Sequence, residues 1–424
     1  VVVFIAYVLL RAVSASSAIH QPRELADTDI YLRISSEPIV GPEFLQVDRP
    51  FVFPLLLQFV HRDLVLAAMI QLGITIFAWG LLAFLLSGAF RYEWLKFSSF
   101  VVILALSLVR HLAGWDFVMM TESLSLSTFV LFISSGIWLI YDRRWYKLVV
   151  VGLISVLFAF ARDTNAYVLL MVSTMLLLAV ALRWIQPRVA VLPVMFLLVF
   201  FVNNLNADVS ERWRFPFINV VGKRILPFSL EIQRMESCGM PVSPALLERA
   251  DSFANGDDSA FLNDPALLSF RRWVNERGKS CYIRWLAADP LARSRQVLLE
   301  FNRLIYFEDV GWFFSRRYSD LLPSRVERVL YPVHHVPWLW VGITLTALIA
   351  TVQRAWRDNN LWVIFIMLSL TIFPHLFITW HGDAMAPERH ALSVGLQVAL
   401  SMWLFLFLAV EKGASLMFRK FAAA

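Results

Sequence analysis

A chain of 424 residues in which 59% are hydrophobic and only 17% charged excludes a disordered polypeptide and argues against an ordinary soluble enzyme of two or three domains. Its apolar residues are grouped in runs of roughly 17–25, the length that crosses the hydrocarbon core of a bilayer as a helix, so the sequence predicts an all-α integral membrane protein. The net charge of +6 does not select nucleic acid, and no such partner is expected, because basic residues at the ends of spans set orientation rather than choose ligands.

Taken in chain order, ten apolar runs predict about ten transmembrane helices, near 1–19, 64–90, 97–110, 119–141, 148–162, 166–185, 189–205, 337–353, 361–380 and 391–410. The sequence opens at Val1, so an incomplete N-terminus is expected, and no cleavable signal peptide is recognisable. With the N-terminus inside, the inside connections hold the basic residues Arg91, Lys96, Arg143, Arg144, Lys147, Arg183, Arg188, Arg354, Arg357, Lys412, Arg419 and Lys420. Only Glu93, Asp142, Asp358 and Glu411 oppose them, as the positive-inside rule requires. This orientation divides the chain into three. Residues 1–205 form an N-terminal transmembrane module with a first outer loop at 20–63, residues 206–336 an extracytoplasmic helical domain, and residues 337–424 a C-terminal transmembrane module.

The first outer loop starts with Ala26-Asp27-Thr28-Asp29-Ile30-Tyr31. On a helix Asp27, Tyr31 and Ile34 share one face, while Asp29 and Arg33 lie on another. A carboxylate held there beside a low-dielectric cavity suits a general base; the plainer reading is a pair of acids complementing a helix N-terminus. The segment from Asp48 through Arg49-Pro50 to Leu57 is apolar, punctuated by Pro and too short to span, so interfacial helices are expected in this loop.

In the large outer segment, Ser243-Pro244, Asp264-Pro265 and Asp289-Pro290 each place a capping side chain ahead of a first-turn Pro, and Gly278 is positioned to end a helix. Cys238 and Cys281 both fall in this segment and are candidates for a disulfide, the alternative being two buried thiols. Lys223-Arg224, Arg316-Arg317 and His334-His335 read as solvated surface. Glu122 stands one turn into a predicted span, where an ionisable group is costly and faces a cavity, with Arg110 or Arg162 as its partner; the plainer reading is a helix-start acid near the water interface. Asp116 and His111 lie in the same connection, and Arg11 lies within the first run. Trp115, Trp312 and Trp380 are the indoles placed outside the spans, where stacking on a ligand is expected.

The order of these features resembles the polyprenyl-phosphate-sugar-dependent glycosyltransferases of superfamily C, the group that holds the protein O-mannosyltransferases and the lipid A aminoarabinose transferase. The likeness rests on Asp27 to Tyr31, on Arg49 to Pro54, on Thr121-Glu122-Ser123-Leu124, on Arg162 at a span end, and on the last outer loop with Gly382, Asp383, Glu388, Arg389 and His390. It covers about residues 1–205 and 337–410. It implies transfer of one sugar from a polyprenyl-phosphate donor to a lipid, glycan or protein acceptor, with inversion, on the periplasmic face of a bacterial inner membrane.

By that resemblance the catalytic base is Asp27, with Asp29 the runner-up. Arg162 and Arg389, assisted by His390 and Arg49, would hold the donor phosphate, since the guanidinium fork matches its oxygens. Glu122, Tyr31 and Asp383 would line the pocket. No cofactor or metal is expected; the alternative would be a divalent cation on Asp27, Asp29, His381 and Asp383. Two other classes compete, a transporter or flippase for a lipid or glycan and an outer-face glycan ligase. Ionisable residues are scarce inside the spans and the chemistry-bearing side chains lie on one side, which disfavours alternating access.

Overall fold

The computed structural model describes all residues except 48, 143, 185, 255–259, 306–311, 315–317, 332–336, 354–358 and 424, together with the backbone but not the side chains of 187, 188, 260, 337 and 419–423. Asp48, Arg316-Arg317 and His334-His335 therefore lie outside the described residues. Within them the protein is helical, with one isolated bridge between Arg23 and Val118.

The bundle is formed by α1 (Val2–Ala18), α4 (Leu64–Gly88), α5 (Glu93–Leu106), α6 (Glu122–Tyr141), α7 (Trp145–Ala161), α8 (Asp163–Ala181), α9 (Val191–Val209), α10 (Pro337–Val352), α11 (Leu361–Gly382) and α12 (Leu392–Ala423). Two short helices, α2 (Ala26–Ile34) and α3 (Val52–Phe59), and between them the single turn Pro42–Leu45 occupy the connection between α1 and α4. Six helices among the described residues are long and apolar enough to cross a membrane: α4, α6, α8, α9, α11 and Leu392–Phe418 of α12. A seventh span results if α5 and Arg110–Phe117, bent by 58° relative to one another, are counted together. The apolar helices α1, α7 and the Trp338–Val352 part of α10 are shorter.

The apolar pattern explains how the bundle assembles. Each long helix is hydrophobic around its whole circumference, so small and hydroxyl-bearing residues decide which face turns inward. On α6 Ser123, Ser125, Ser127, Thr128, Ser134 and Ser135 are all buried. There α6 packs against α4 and α7, and Asn165 of α8 donates to Ser125 Oγ at 2.9 Å. Arg11 is buried too, paired with Asp116, whose carboxylate also accepts from Thr75 at 2.8 Å and Ser123 at 2.6 Å. These two charges neutralise one another.

Residues 206–336 divide between two apolar cores. Phe217, Val221, Met235, Phe270, Trp273 and Trp285 belong to a core that also takes in Ala384, whereas Val297, Phe301, Phe313 and Tyr331 pack with the bundle. Cys238 and Cys281 are disulfide-bonded, with Cα atoms 5.8 Å apart, closing a loop across the first of these cores. The three Pro-preceding caps form as the sequence indicates: Ser243 accepts from the Leu246 amide, Asp264 from Ala266 and Asp289 from Ala292. Gly278 does not end a helix. It continues from Val274–Gly278 directly into Lys279–Ala288, and a Cβ there would stand 2.9 Å from the Phe217 ring, so close packing rather than a left-handed turn requires the glycine.

Trp115 is likewise not available to a sugar. It is fully buried against Phe313 and Phe314, which arrive from nearly two hundred residues further along the chain.

Candidate active site

Four connections meet at one end of the bundle. The first follows α1. Thr28 Oγ1 accepts from the Leu25 amide at 2.9 Å and donates to the Met119 carbonyl at 3.1 Å, while the Arg23 N–H donates to the Phe117 carbonyl at 2.7 Å and the Met119 N–H to the Arg23 carbonyl at 2.9 Å. These contacts fix the start of α2 beside the start of α6. Tyr31 is buried edge-on against Phe53 of α3 at 5.1 Å, so the Asp27 face of α2 turns inward and Asp29 is left exposed. Burial pushes the Tyr31 phenol up to about 12, so it stays protonated.

The second element is the first turn of α6, carrying Glu122, of which only 1% remains exposed. The third is the break between α7 and α8. Arg162 is a single extended residue, φ −161° and ψ 135°, between two helices, which directs its side chain across the bundle end. The fourth is the connection between α11 and α12. Ala386 adopts a left-handed backbone, φ 43° and ψ 52°, an unfavourable state for a residue with a Cβ. The one-turn helix Pro387–His390 then places Arg389 and His390 at the same end.

The side chains form a row of alternating charge. Arg49 Nη2 donates to Asp27 Oδ1 at 2.8 Å, and Arg389 Nη1 lies 3.5 Å from Asp27 Oδ2. Arg389 Nε and Arg162 Nη2 both stand 3.3 Å from Glu122 Oε1. Arg162 Nη2 also meets His390 Nδ1 at 2.8 Å, and His390 Nε2 faces Asp383 Oδ2 at 3.8 Å. Asp383 is held from the other side by the Asn219 amide at 3.0 Å and the Met385 N–H at 2.9 Å.

Arg389 holds its carboxylates by long contacts, 3.5 Å to Asp27 and 3.3 Å to Glu122, and its Nη1 lies 3.6 Å from Met120 Sδ, while Glu122 Oε2 has no donor among the described residues. Buried polar atoms without partners are rare in folded proteins and mark places where a ligand or water completes the set. With Asp383 at its far end, the row sets three guanidiniums, Arg49, Arg389 and Arg162, against three carboxylates, Asp27, Glu122 and Asp383.

Electrostatics separate the roles. Burial opposes ionisation of Asp27, but the Arg49 and Arg389 guanidinium groups outweigh it and hold its carboxyl below the usual range. His390 is driven well below its ordinary value by burial and by Arg162, Arg389 and Arg49, so it is neutral. With Nδ1 accepting from Arg162, the proton sits on Nε2. Burial raises Asp383 despite its hydrogen bonds to Met385 and Asn219.

No family model, no curated protein and no solved structure matches this chain. The candidate site thus stands on its own geometry.

That geometry brings Asp27, Tyr31, Arg49, Glu122, Arg162, Asp383, Arg389 and His390 together, and leaves Asp29 on the opposite face of α2. Glu122 pairs with Arg162 and Arg389 rather than Arg110, which instead faces Asp320 at 3.4 Å. His111 stacks on Tyr331, away from the row. Several participants carry no sequence signal: Asn219 behind Asp383, Arg303 on Glu388 at 2.8 Å, and Arg212, which makes a two-point contact with Asp163 at 3.0 Å and ties the segment after α9 to the start of α8. Arg224 is not solvated surface; it lies over the Trp380 ring. Among the described residues no group of three or more His, Cys, Asp or Glu side chains is placed to hold a metal ion.

Proposed function

We propose that this protein is an integral-membrane glycosyltransferase that moves one sugar from a polyprenyl-phosphate donor to an acceptor hydroxyl, with inversion, at the extracytoplasmic face of a bacterial inner membrane. In this reading all ten apolar helical regions cross the bilayer, including the shorter ones. The observation that carries it is the pairing of an ionised Asp27 with Arg389, whose contacts to Asp27 and Glu122 are long, beside a Glu122 oxygen that has no donor among the described residues. A phosphodiester supplies oxygens that accept the guanidinium fork.

The acceptor oxygen attacks the anomeric carbon as Asp27 takes its proton. The bond from that carbon to the phosphate oxygen breaks, and its electron pair leaves with the polyprenyl phosphate. Arg389 and Arg162 neutralise the departing charge, and the Nε2–H of neutral His390 adds a donor. Arg49 and Tyr31 position Asp27. Proteoliposomes carrying the protein, a polyprenyl-phosphate hexose and candidate acceptors test the reading: a product of inverted anomeric configuration by NMR is expected, and retained configuration or transport of intact donor would refute it.

The same assay has a pH signature. In the free protein the two arginines hold the Asp27 carboxyl below the ordinary aspartate value of about 3.9, so the base stays ionised as pH falls through the mildly acidic range. A bound phosphate draws Arg389 toward itself, weakening that hold. The acid limb of kcat is therefore expected at higher pH than the acid limb of kcat/KM, and coincident limbs would show that Arg389 stays on Asp27 throughout.

A further inference from the structure

Arg224 differs from the buried, ion-paired arginines among the described residues. Arg11, Arg162, Arg212, Arg293 and Arg389 each lie within ion-pair distance of a carboxylate. Arg224 has no carboxylate within that distance among the described residues; its one protein acceptor is the Trp380 carbonyl. The guanidinium lies over the Trp380 ring, 3.6 Å from its centroid. Burial lowers its pKa to about 10, so it remains a cation at neutral pH while stripped of much of its water. The Trp380 Nε1 is buried and also lacks a partner.

The position continues the charged row. Arg224 lies on the π-helical turn Val221–Ile225, which runs on directly from the helix Arg214–Val220 bearing Asn219, the residue that bonds Asp383. Trp380 is in the last turn of α11, immediately before Asp383. Lys223 on the same turn is engaged elsewhere, with Asp251 at 2.9 Å and over the Phe253 ring, so it does not share the duty. A guanidinium offers five donors in a planar fork, and here one is used by protein.

We propose that Arg224 and Trp380 form a second oxyanion subsite, at the Asp383 end of the row, for a phosphate-class group on a substrate. This rests on the glycosyltransferase reading and narrows its substrates to those with an anionic group beyond the one held by Arg389 and Arg162. Two sources present that chemistry: a second phosphate on the prenyl donor, or a phosphate borne by the acceptor.

Calorimetric titration of the full chain in nanodiscs distinguishes them, with farnesyl phosphate, farnesyl diphosphate and inorganic phosphate as probes and wild type, Arg224→Gln and Arg389→Gln as proteins. Loss of a charge-assisted hydrogen-bond pair is expected to cost about tenfold or more in affinity. Arg389→Gln is expected to weaken farnesyl phosphate, whereas Arg224→Gln leaves it unchanged. If the subsite takes the donor's second phosphate, Arg224→Gln removes the preference for diphosphate over monophosphate. If it takes an acceptor phosphate, the variant loses binding of inorganic phosphate to protein already saturated with farnesyl phosphate. Absence of both losses, or an equal loss for farnesyl phosphate, overturns the subsite. An unaffected Arg389→Gln variant would overturn the donor-phosphate assignment instead. Arg224→Lys keeps the charge over Trp380 but not the fork; it is expected to show the same losses in smaller measure and serves if the Gln variant does not fold.

Discussion

Asp27→Asn is expected to lower transfer by about 10²–10⁴-fold, the usual contribution of a positioned general base, while Asp29→Asn leaves it close to wild type. The Asn side chain keeps the shape of Asp27 and an oxygen for Arg49, so the α2 face against Phe53 is preserved and folding is not the cause of the loss. The measurement is initial rate in proteoliposomes, with melting temperature as the control. An active Asp27→Asn variant would remove the base from this site. A loss confined to Asp29→Asn would move it to the exposed face of α2, where no guanidinium is within ion-pair distance among the described residues.

The second large effect is on stability. Glu122 is, among the described residues, the carboxylate shared by Arg389 and Arg162, and its replacement by Ala leaves two like charges buried together. Breaking a buried pair from one side typically costs about 3–5 kcal/mol, and here two pairs share the lost partner. Glu122→Ala is therefore expected to melt well below wild type. An anion that occupies the space between the two guanidiniums substitutes for the missing carboxylate, so farnesyl phosphate is expected to raise the melting temperature of the variant more than that of wild type. Equal shifts in both proteins would show that the ligand does not sit between Arg389 and Arg162.

What could be read from sequence follows from the range of the forces involved. Each of the ten apolar runs coincides with a helical region because hydropathy is local and a long window averages well. The shared face of Asp27 and Tyr31 follows from helical spacing alone, and so do the three Pro-linked caps. The partners do not. Whether Glu122 meets Arg110 or Arg162 depends on the extended residue between α7 and α8, which no periodicity announces. Trp115 sits in a connection that looks exposed until Phe313 and Phe314 cover it. Arg224, adjacent to Lys223 in the sequence, resembles a solvated basic pair; only the approach of α11 gives one of the two an aromatic floor. Gly278 is misread because a glycine that serves close packing leaves the same mark in sequence as one that ends a helix.

Ala384 belongs to the apolar core of the large insertion, and Arg389 follows it by little more than one helical turn of chain, across the left-handed Ala386. The insertion and the charged end of the bundle thus share a short length of backbone. Trimming this insertion, or exchanging it for another, would pull on the cations themselves. The two parts must be inherited and redesigned as one unit, although their cores are distinct.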